Sequence, residues 1–162
     1  MTGIVRIAER EDGGRLAGPL FRRRFGGDPP DFPHHVVAAV RGADGCEVPL
    51  CYIHFTAMDG CLLGGGACVD NRALRLVGEL TRAHLRACGG LYRVTLEWAI
   101  GHFSRQYEAI FGYCGDVLAE RIDRQCGFVS TGHRHLLVRW LGEVDAVRRE
   151  QLIASAHAVG PF

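Results

Sequence analysis

Apolar and polar positions alternate along this chain with two different periods, and the change of period divides it. "IVRIAER" (4–10) reads as a strand, and a loop-and-helix region carrying Arg22, Arg23 and Arg24 follows. "GGDPPDFP" (26–33) breaks the chain into a loop. "HHVVAAVRG" and "VPLCYIHFTAMDG" read as two strands around a turn at Ala43 to Gly45, and "CLLGGGACVD" (61–70) as a fourth. The glycines of that fourth run predict a bulge or a close backbone approach. From Leu76 the period lengthens: Leu76, Leu80, Ala83 and Ala87 recur at helical spacing until Gly89 and Gly90 end the segment. "LYRVTLEW" (91–98) is almost continuously apolar, as a buried parallel strand is. Ala99, Phe103, Tyr107 and Phe111 then recur every four residues and predict a second helix. Leu118, Ile122 and Cys126 predict a third, ended by Gly127, with Asp116 placed to cap its first-turn amides. "FVSTGHRHLLVRW" reads as a closing strand or hairpin, and "DAVRREQLIASAHAV" as a C-terminal helix.

Strands followed by helix, strand, helix and strand make an α/β order: a mixed sheet with a parallel pair in the second half and helices on its faces. The strands at 61–70 and 91–98 are the expected parallel neighbours, with the 76–88 helix as crossover. A ligand crevice is expected where such strands splay. The 162 residues suit one domain, with 1–142 as its body and 143–162 as a helical extension of it. That last helix could also pair across a homodimer.

Composition removes several chemistries. All nineteen basic side chains are arginine, so Schiff-base chemistry, a pyridoxal phosphate anchor and a lysine-bearing phosphate loop are excluded. None of the serines Ser104, Ser130 and Ser155 sits in a Gly-x-Ser-x-Gly elbow, which argues against a serine hydrolase. A formal charge of +1 gives no footing for nucleic acid, and no apolar run approaches the ~20 residues of a membrane span. "MTGIVRIAER" has no signal-peptide pattern, so a cytoplasmic address is expected. The seven cysteines are odd in number and contain no Cys-x-x-Cys, which reads as free, buried thiols. His34-His35 and His133-x-His135 lack a third ligand at any fixed spacing, so no metal is expected.

"FGYCGD" (111–116) concentrates candidate chemistry in one loop: the Tyr113 phenol, the Cys114 thiol near a helix N-terminus, and the Asp116 cap. Glu97, at the end of the expected central strand, is a candidate acid–base group.

Residues 61–128 resemble the acyl-CoA-binding core of the Gcn5-related N-acetyltransferase (GNAT) superfamily. Val69-Asp70 ends a strand as in that family. Asp116-x-x-Ala119-x-x-Ile122-Asp123-x-x-x-Gly127-Phe128 matches in spacing its helix of pattern Asn-x-x-Ala-x-x-Leu-Tyr-x-x-x-Gly-Phe. The resemblance implies a GNAT-like acyl-CoA N-acyltransferase fold, acetyl-CoA or another acyl-CoA as cosubstrate, and a small-molecule or peptide amine as acceptor. The family's Gln/Arg-x-x-Gly-x-Gly/Ala turn, whose amides wrap the CoA pyrophosphate, corresponds here to "NRALRLVG" (71–78). The resemblance therefore implies a cofactor contact by Arg72, Arg75, Val77 and Gly78, with arginine charge replacing bare backbone, and by Asp116. The family's proton-donating tyrosine is replaced by Asp123, which would be ionised at neutral pH unless its pKa were raised. No glutamate stands in "CLLGGGACVD", which leaves Glu97 or a water as base and Tyr113 as acid. Three functions stay open: an acyl-CoA-dependent N-acyltransferase, a non-catalytic ligand-binding or regulatory module on the same scaffold, and a thiol enzyme using Cys114 with His102 or His54.

Overall fold

The computed structural model describes residues 4–162. Residues 1–3, which open both the stretch read as lacking a signal peptide and the body begun at residue 1, lie outside the described residues. Among the described residues, seven strands form a single mixed sheet. They are β1 (Arg6–Glu9), β2 (His34–Arg41), β3 (Glu47–Met58), β4 (Cys61–Val69), β5 (Ala109–Tyr113), β6 (Val129–Ser130) and β7 (Leu136–Trp140), in the spatial order β1-β2-β3-β4-β5-β7-β6. Every pairing is antiparallel except β4 with β5.

One face of the sheet is covered by α1 (Gly13–Phe25) and α5 (Ala146–Val159), the other by α3 (Leu91–Phe103) with α2 (Glu79–Ala87) and α4 (Val117–Gln125) beside it. The strands divide by parity as pleating requires. Val36, Ala38, Cys51, Ile53 and Phe55 point toward α3, whereas Val37, Ala39, Tyr52 and Cys68 point toward α1. Leu152 and Ala156 of α5 are fully buried against Phe111, Leu136 and Val138, while Val147 stays exposed.

The parallel neighbour of β4 differs from the expected one. Residues 91–98 are helical, and β5 takes the role assigned to them. The buried positions Leu91, Thr95, Ala99 and Phe103 recur every four residues, so the helical stripe starts at Leu91. The Thr95 hydroxyl donates to the Leu91 carbonyl (2.8 Å), one turn back. The segment looks like a buried strand because a helix laid on a sheet and flanked by two others is apolar on more than one side. Tyr107 and Phe111 continue the fourfold spacing by coincidence, for the helix stops at Phe103 and Phe111 lies in β5. The crossover is therefore α2 and α3 together.

The stripe expected in residues 76–88 is also turned the wrong way. Leu76 closes a 3-10 turn (Ala73–Leu76), Leu80 is 88% exposed, and Leu85 is the residue α2 buries. No helix of the described residues is long and apolar enough to cross a membrane.

Phe103 is fully buried where α3 meets Phe55 of β3, with ring centroids 5.5 Å apart. Phe103→Ala should cost about 3–5 kcal/mol in denaturant unfolding. A cost below about 1 kcal/mol would contradict the placement of α3 as the crossover helix.

Candidate active site

The site begins where the parallel ladder ends. β4 and β5 pair from Cys61↔Ala109 to Gly64↔Gly112, and β4 then continues to Val69 without β5 beside it. β4 bulges in the same stretch: its register against β3 jumps from Gly65 opposite His54 to Cys68 opposite Tyr52. Glycine is required there. Gly66 has φ +45, and a Cβ on it would stand 2.1 Å from His54 Cε1. A Cβ on Gly65 would stand 2.9 Å from both His54 Nε2 and the Phe162 carbonyl carbon.

The divergence opens a cavity of about 350 Å³. It is lined by Gly64 to Ala67, by Phe111 to Asp116, and by Tyr92 and Leu96 of α3. Ala119 and Asp123 of α4 close one side, and Arg24, Phe25 and Phe162 the other. Because α3/α4 and α1/α5 lie on opposite faces, the cavity reaches both sides of the sheet.

The hexapeptide residues all meet at this opening. Tyr113 ends β5, its ring edge-on to Phe162 (6.0 Å) and tilted toward His135 (6.1 Å). Asp116 caps α4, accepting from Leu118 N (2.8 Å) and Ala119 N (3.0 Å). Those two amides hold its carboxyl below the usual range, so it stays ionised. Cys114 departs from expectation. Its thiol is buried, donates to the Asp116 carbonyl (3.3 Å), and burial pushes its pKa up to about 11. The helix N-terminus does not overcome desolvation, and Cys114 is a poor thiolate nucleophile at neutral pH. Its proposed partners are elsewhere: His102 is bonded to Glu9 (2.7 Å) and stacked on Trp98, and His54 is stacked on Phe32.

The remaining candidates are dispersed. Glu97 lies on the exposed side of α3, paired with Arg93 (2.8 Å), and does not line the cavity. Its strand-end position was a consequence of reading α3 as a strand. The 71–78 turn is split as well. Val77 is buried in the core, Gly78 precedes α2 as its N-cap residue, and the Arg75 carbonyl accepts from Arg82 (3.5 Å). Arg72 lines a second hollow of about 420 Å³, beside Arg23 and Arg24. Arg23 is engaged by Asp70 (2.5 Å). Arg24 lines both cavities, and among the described residues neither Arg24 nor Arg72 forms an ion pair. His133 stacks on His157 (3.8 Å between centroids). Among the described residues no group of three or more His, Cys, Asp or Glu side chains is placed to hold a metal.

Two features go beyond the sequence reading. Tyr92 donates its hydroxyl to Asp123 (2.8 Å) inside the cavity, and burial raises the Asp123 carboxyl above its ordinary range. The glycine pair before the crossover helix is Gly89-Gly90, with φ +87 and +101. A Cβ on Gly90 would meet open space, so the backbone there is bare by conformation rather than by crowding.

No protein-family model matches the sequence, and no curated protein matches it. Solved structures do resemble the fold. The ribosomal-protein-S18-alanine N-acetyltransferase of Escherichia coli aligns over 88% of this chain and 97% of its own, with a TM-score of 0.57 and 11% identity. A GNAT family acetyltransferase from Brucella melitensis, solved with acetyl-CoA, aligns over 88% and 91% with a TM-score of 0.54 and 13% identity. The catalytic domain of the Tetrahymena Gcn5 histone acetyltransferase, solved with coenzyme A, aligns over 90% and 98% with a TM-score of 0.51 and 14% identity. The chain has the GNAT fold.

Among the described residues His54 Nδ1 is buried without a hydrogen-bond partner, and desolvation lowers the imidazole pKa to about 4. An unfolded histidine titrates near 6.5, so the unfolded chain takes up a proton that the folded chain refuses as pH falls from about 6.5 to 4. His54 should therefore cost on the order of 3 kcal/mol of stability across that window. His54→Gln should flatten the slope of unfolding free energy against pH there, measured by urea melts. An unchanged slope would show that His54 is protonated in the folded protein.

Proposed function

We propose that this chain, with its GNAT fold, is an acyl-CoA-dependent N-acyltransferase for a small-molecule or peptide amine. The observation that carries the reading is the parting of β4 and β5 beyond Gly64↔Gly112. Parted strands leave peptide groups without ladder partners, and these need hydrogen bonds from elsewhere. The extended amide-bearing arm of coenzyme A supplies such groups and is slim enough to lie between bare glycine backbones. Its thioester would then sit at the apex of the opening, beside Gly64 and Gly112, with Tyr92 and Asp123 on one side and Tyr113 on the other.

The phosphates would lie at the mouth, where Arg24 and Arg72 are cations without a salt-bridge partner among the described residues. Of the four residues expected at the phosphate turn, this reading uses Arg72. Asp116, capped onto α4, borders the same opening. The acceptor amine would enter from the α1/α5 face, past Phe25, Tyr113 and Phe162. Tyr113 there is a candidate to handle the acceptor's proton, and a water replaces Glu97 as base.

The binding-module reading is favoured by one observation, the Phe162 main chain seated over Gly65 on the acceptor face. Binding of acetyl-CoA without thiol release in the presence of any amine of a broad panel would select it.

Acetyl-CoA should raise the melting temperature, because a ligand that binds only the folded state stabilises it. Gly112→Val should abolish the rise by filling the cavity opposite Phe128, while leaving the fold intact. Arg24→Ala with Arg72→Ala should weaken binding and flatten its salt dependence, and Arg75→Ala should change neither. Full acetyl-CoA affinity in the Gly112 variant would place the cofactor elsewhere.

A further inference from the structure

The cavity does not end where the strands part. Gly64 and Gly112 are the last partners of the parallel ladder, and both leave side-chain space on the α3 face of the sheet. A Cβ on Gly64 would point at the Phe55 ring (3.1 Å), and one on Gly112 at the Phe128 ring (3.8 Å). Ile110, two residues before Gly112 and on the same face, lines the cavity there, as does Leu96, one helical turn beyond Tyr92. Four elements thus contribute one apolar side chain each: β3, α3, β5 and the turn after α4. All four side chains belong to the main core, and Phe55, Leu96, Ile110 and Phe128 are 1%, 3%, 1% and 4% exposed. Walls so closed to water make a narrow, dry slot behind the end of the ladder.

The polar groups on this side of the cavity are already engaged. Tyr92 donates to Asp123, the Cys114 thiol donates to the Asp116 carbonyl, and the Asp116 carboxylate caps α4. Arg139 of β7 pairs with Ile110 in the sheet, but its guanidinium lies against Gly127 and does not line the cavity.

Resting on the acyl-CoA reading above, we propose that this slot is an acyl-chain pocket and that the donor carries a straight, saturated chain longer than acetyl. With the arm bonded to the strands on the mouth side of Gly64 and Gly112 and the thioester beside them, the acyl group is the part of the donor that points past the ladder's end. An acetyl group stops at its own methyl and leaves the slot empty, so the lining atoms lack contact partners on one side. A longer chain supplies those contacts, and each buried methylene adds about fourfold in affinity. The narrowness selects an unbranched chain, and no cation lines this side of the cavity to meet a carboxylate on the acyl group. Phe103, fully buried, backs Phe55 (5.5 Å between centroids) and closes the slot on the β3 side. Leu96 and Phe128 are the specificity-determining residues, because they bound the slot from the helix layer rather than from the sheet.

Titration calorimetry with acetyl-, butanoyl-, hexanoyl- and octanoyl-CoA, without an acceptor amine, tests the proposal. Affinity should rise about fourfold per methylene and level off once the slot is full. Hexanoyl-CoA should bind at least about tenfold more tightly than acetyl-CoA. Succinyl-CoA has the carbon count of butanoyl-CoA with a carboxylate at its end, and should bind more weakly than butanoyl-CoA. Leu96→Phe narrows the slot and should bring the hexanoyl-to-acetyl affinity ratio close to one. Phe128→Leu widens it and should move the levelling-off to a longer chain. Should Leu96→Phe fail to fold, the wild-type series and Phe128→Leu decide. A chain-length preference that is the same in the variants as in wild type comes from apolar surface elsewhere and overturns the proposal. Equal affinities along the wild-type series, or succinyl-CoA bound more tightly than butanoyl-CoA, overturn it as well and leave the acyl-CoA reading standing. Wild type that binds no acyl-CoA overturns both.

Discussion

The parallel pairing of β4 with β5 stops at Gly64↔Gly112, and the rest of the molecule is arranged around that stop. An antiparallel hairpin could have continued the ladder with a two-residue turn, but a parallel pair needs a crossover long enough to return the chain. Here the crossover is α2 and α3, and it delivers Tyr92 and Leu96 to the wall of the opening. The loop after β5 delivers Cys114, Gly115 and Asp116, and the helix that Asp116 caps delivers Asp123. Glycine in β4 keeps the opening clear: a side chain at Gly65 or Gly66 would collide with His54.

Burial controls the chemistry available at that opening. The same desolvation that pushes the Cys114 thiol up to about 11, away from nucleophilic use, raises the Asp123 carboxyl above its ordinary range. Asp116, a few residues along and open to water, is moved the opposite way by two helix amides. Two aspartates on one helix thus differ in protonation tendency because one caps the exposed end and the other faces the dry side.

Legibility in the sequence followed the range of the interaction that fixes each feature. β2, β3 and β4 were readable because alternation and nearby turns specify them locally, and the α4 cap was readable because Asp116 bonds amides two and three residues away. Helix α3 was not readable as a helix, since burial on several sides hid its period, and the strand-end position given to Glu97 followed from that reading. Gly89-Gly90 was read as a helix stop, although it also opens the crossover helix. Tyr113, Cys114 and Asp116 meet at the opening because they are chain neighbours. The Tyr92–Asp123 bond joins residues 31 positions apart, and no local pattern signals it.

The central claim is that the parted strands hold the acyl-carrying arm of coenzyme A. A crystal structure with bound CoA tests it directly. The account predicts the arm extended between the two strands beyond Gly64 and Gly112, hydrogen-bonded to backbone groups that have no ladder partner, with its sulfur beside Gly64 and Gly112. A ladder that instead closes past Gly112, or coenzyme A bound at another surface with this opening empty, would contradict it.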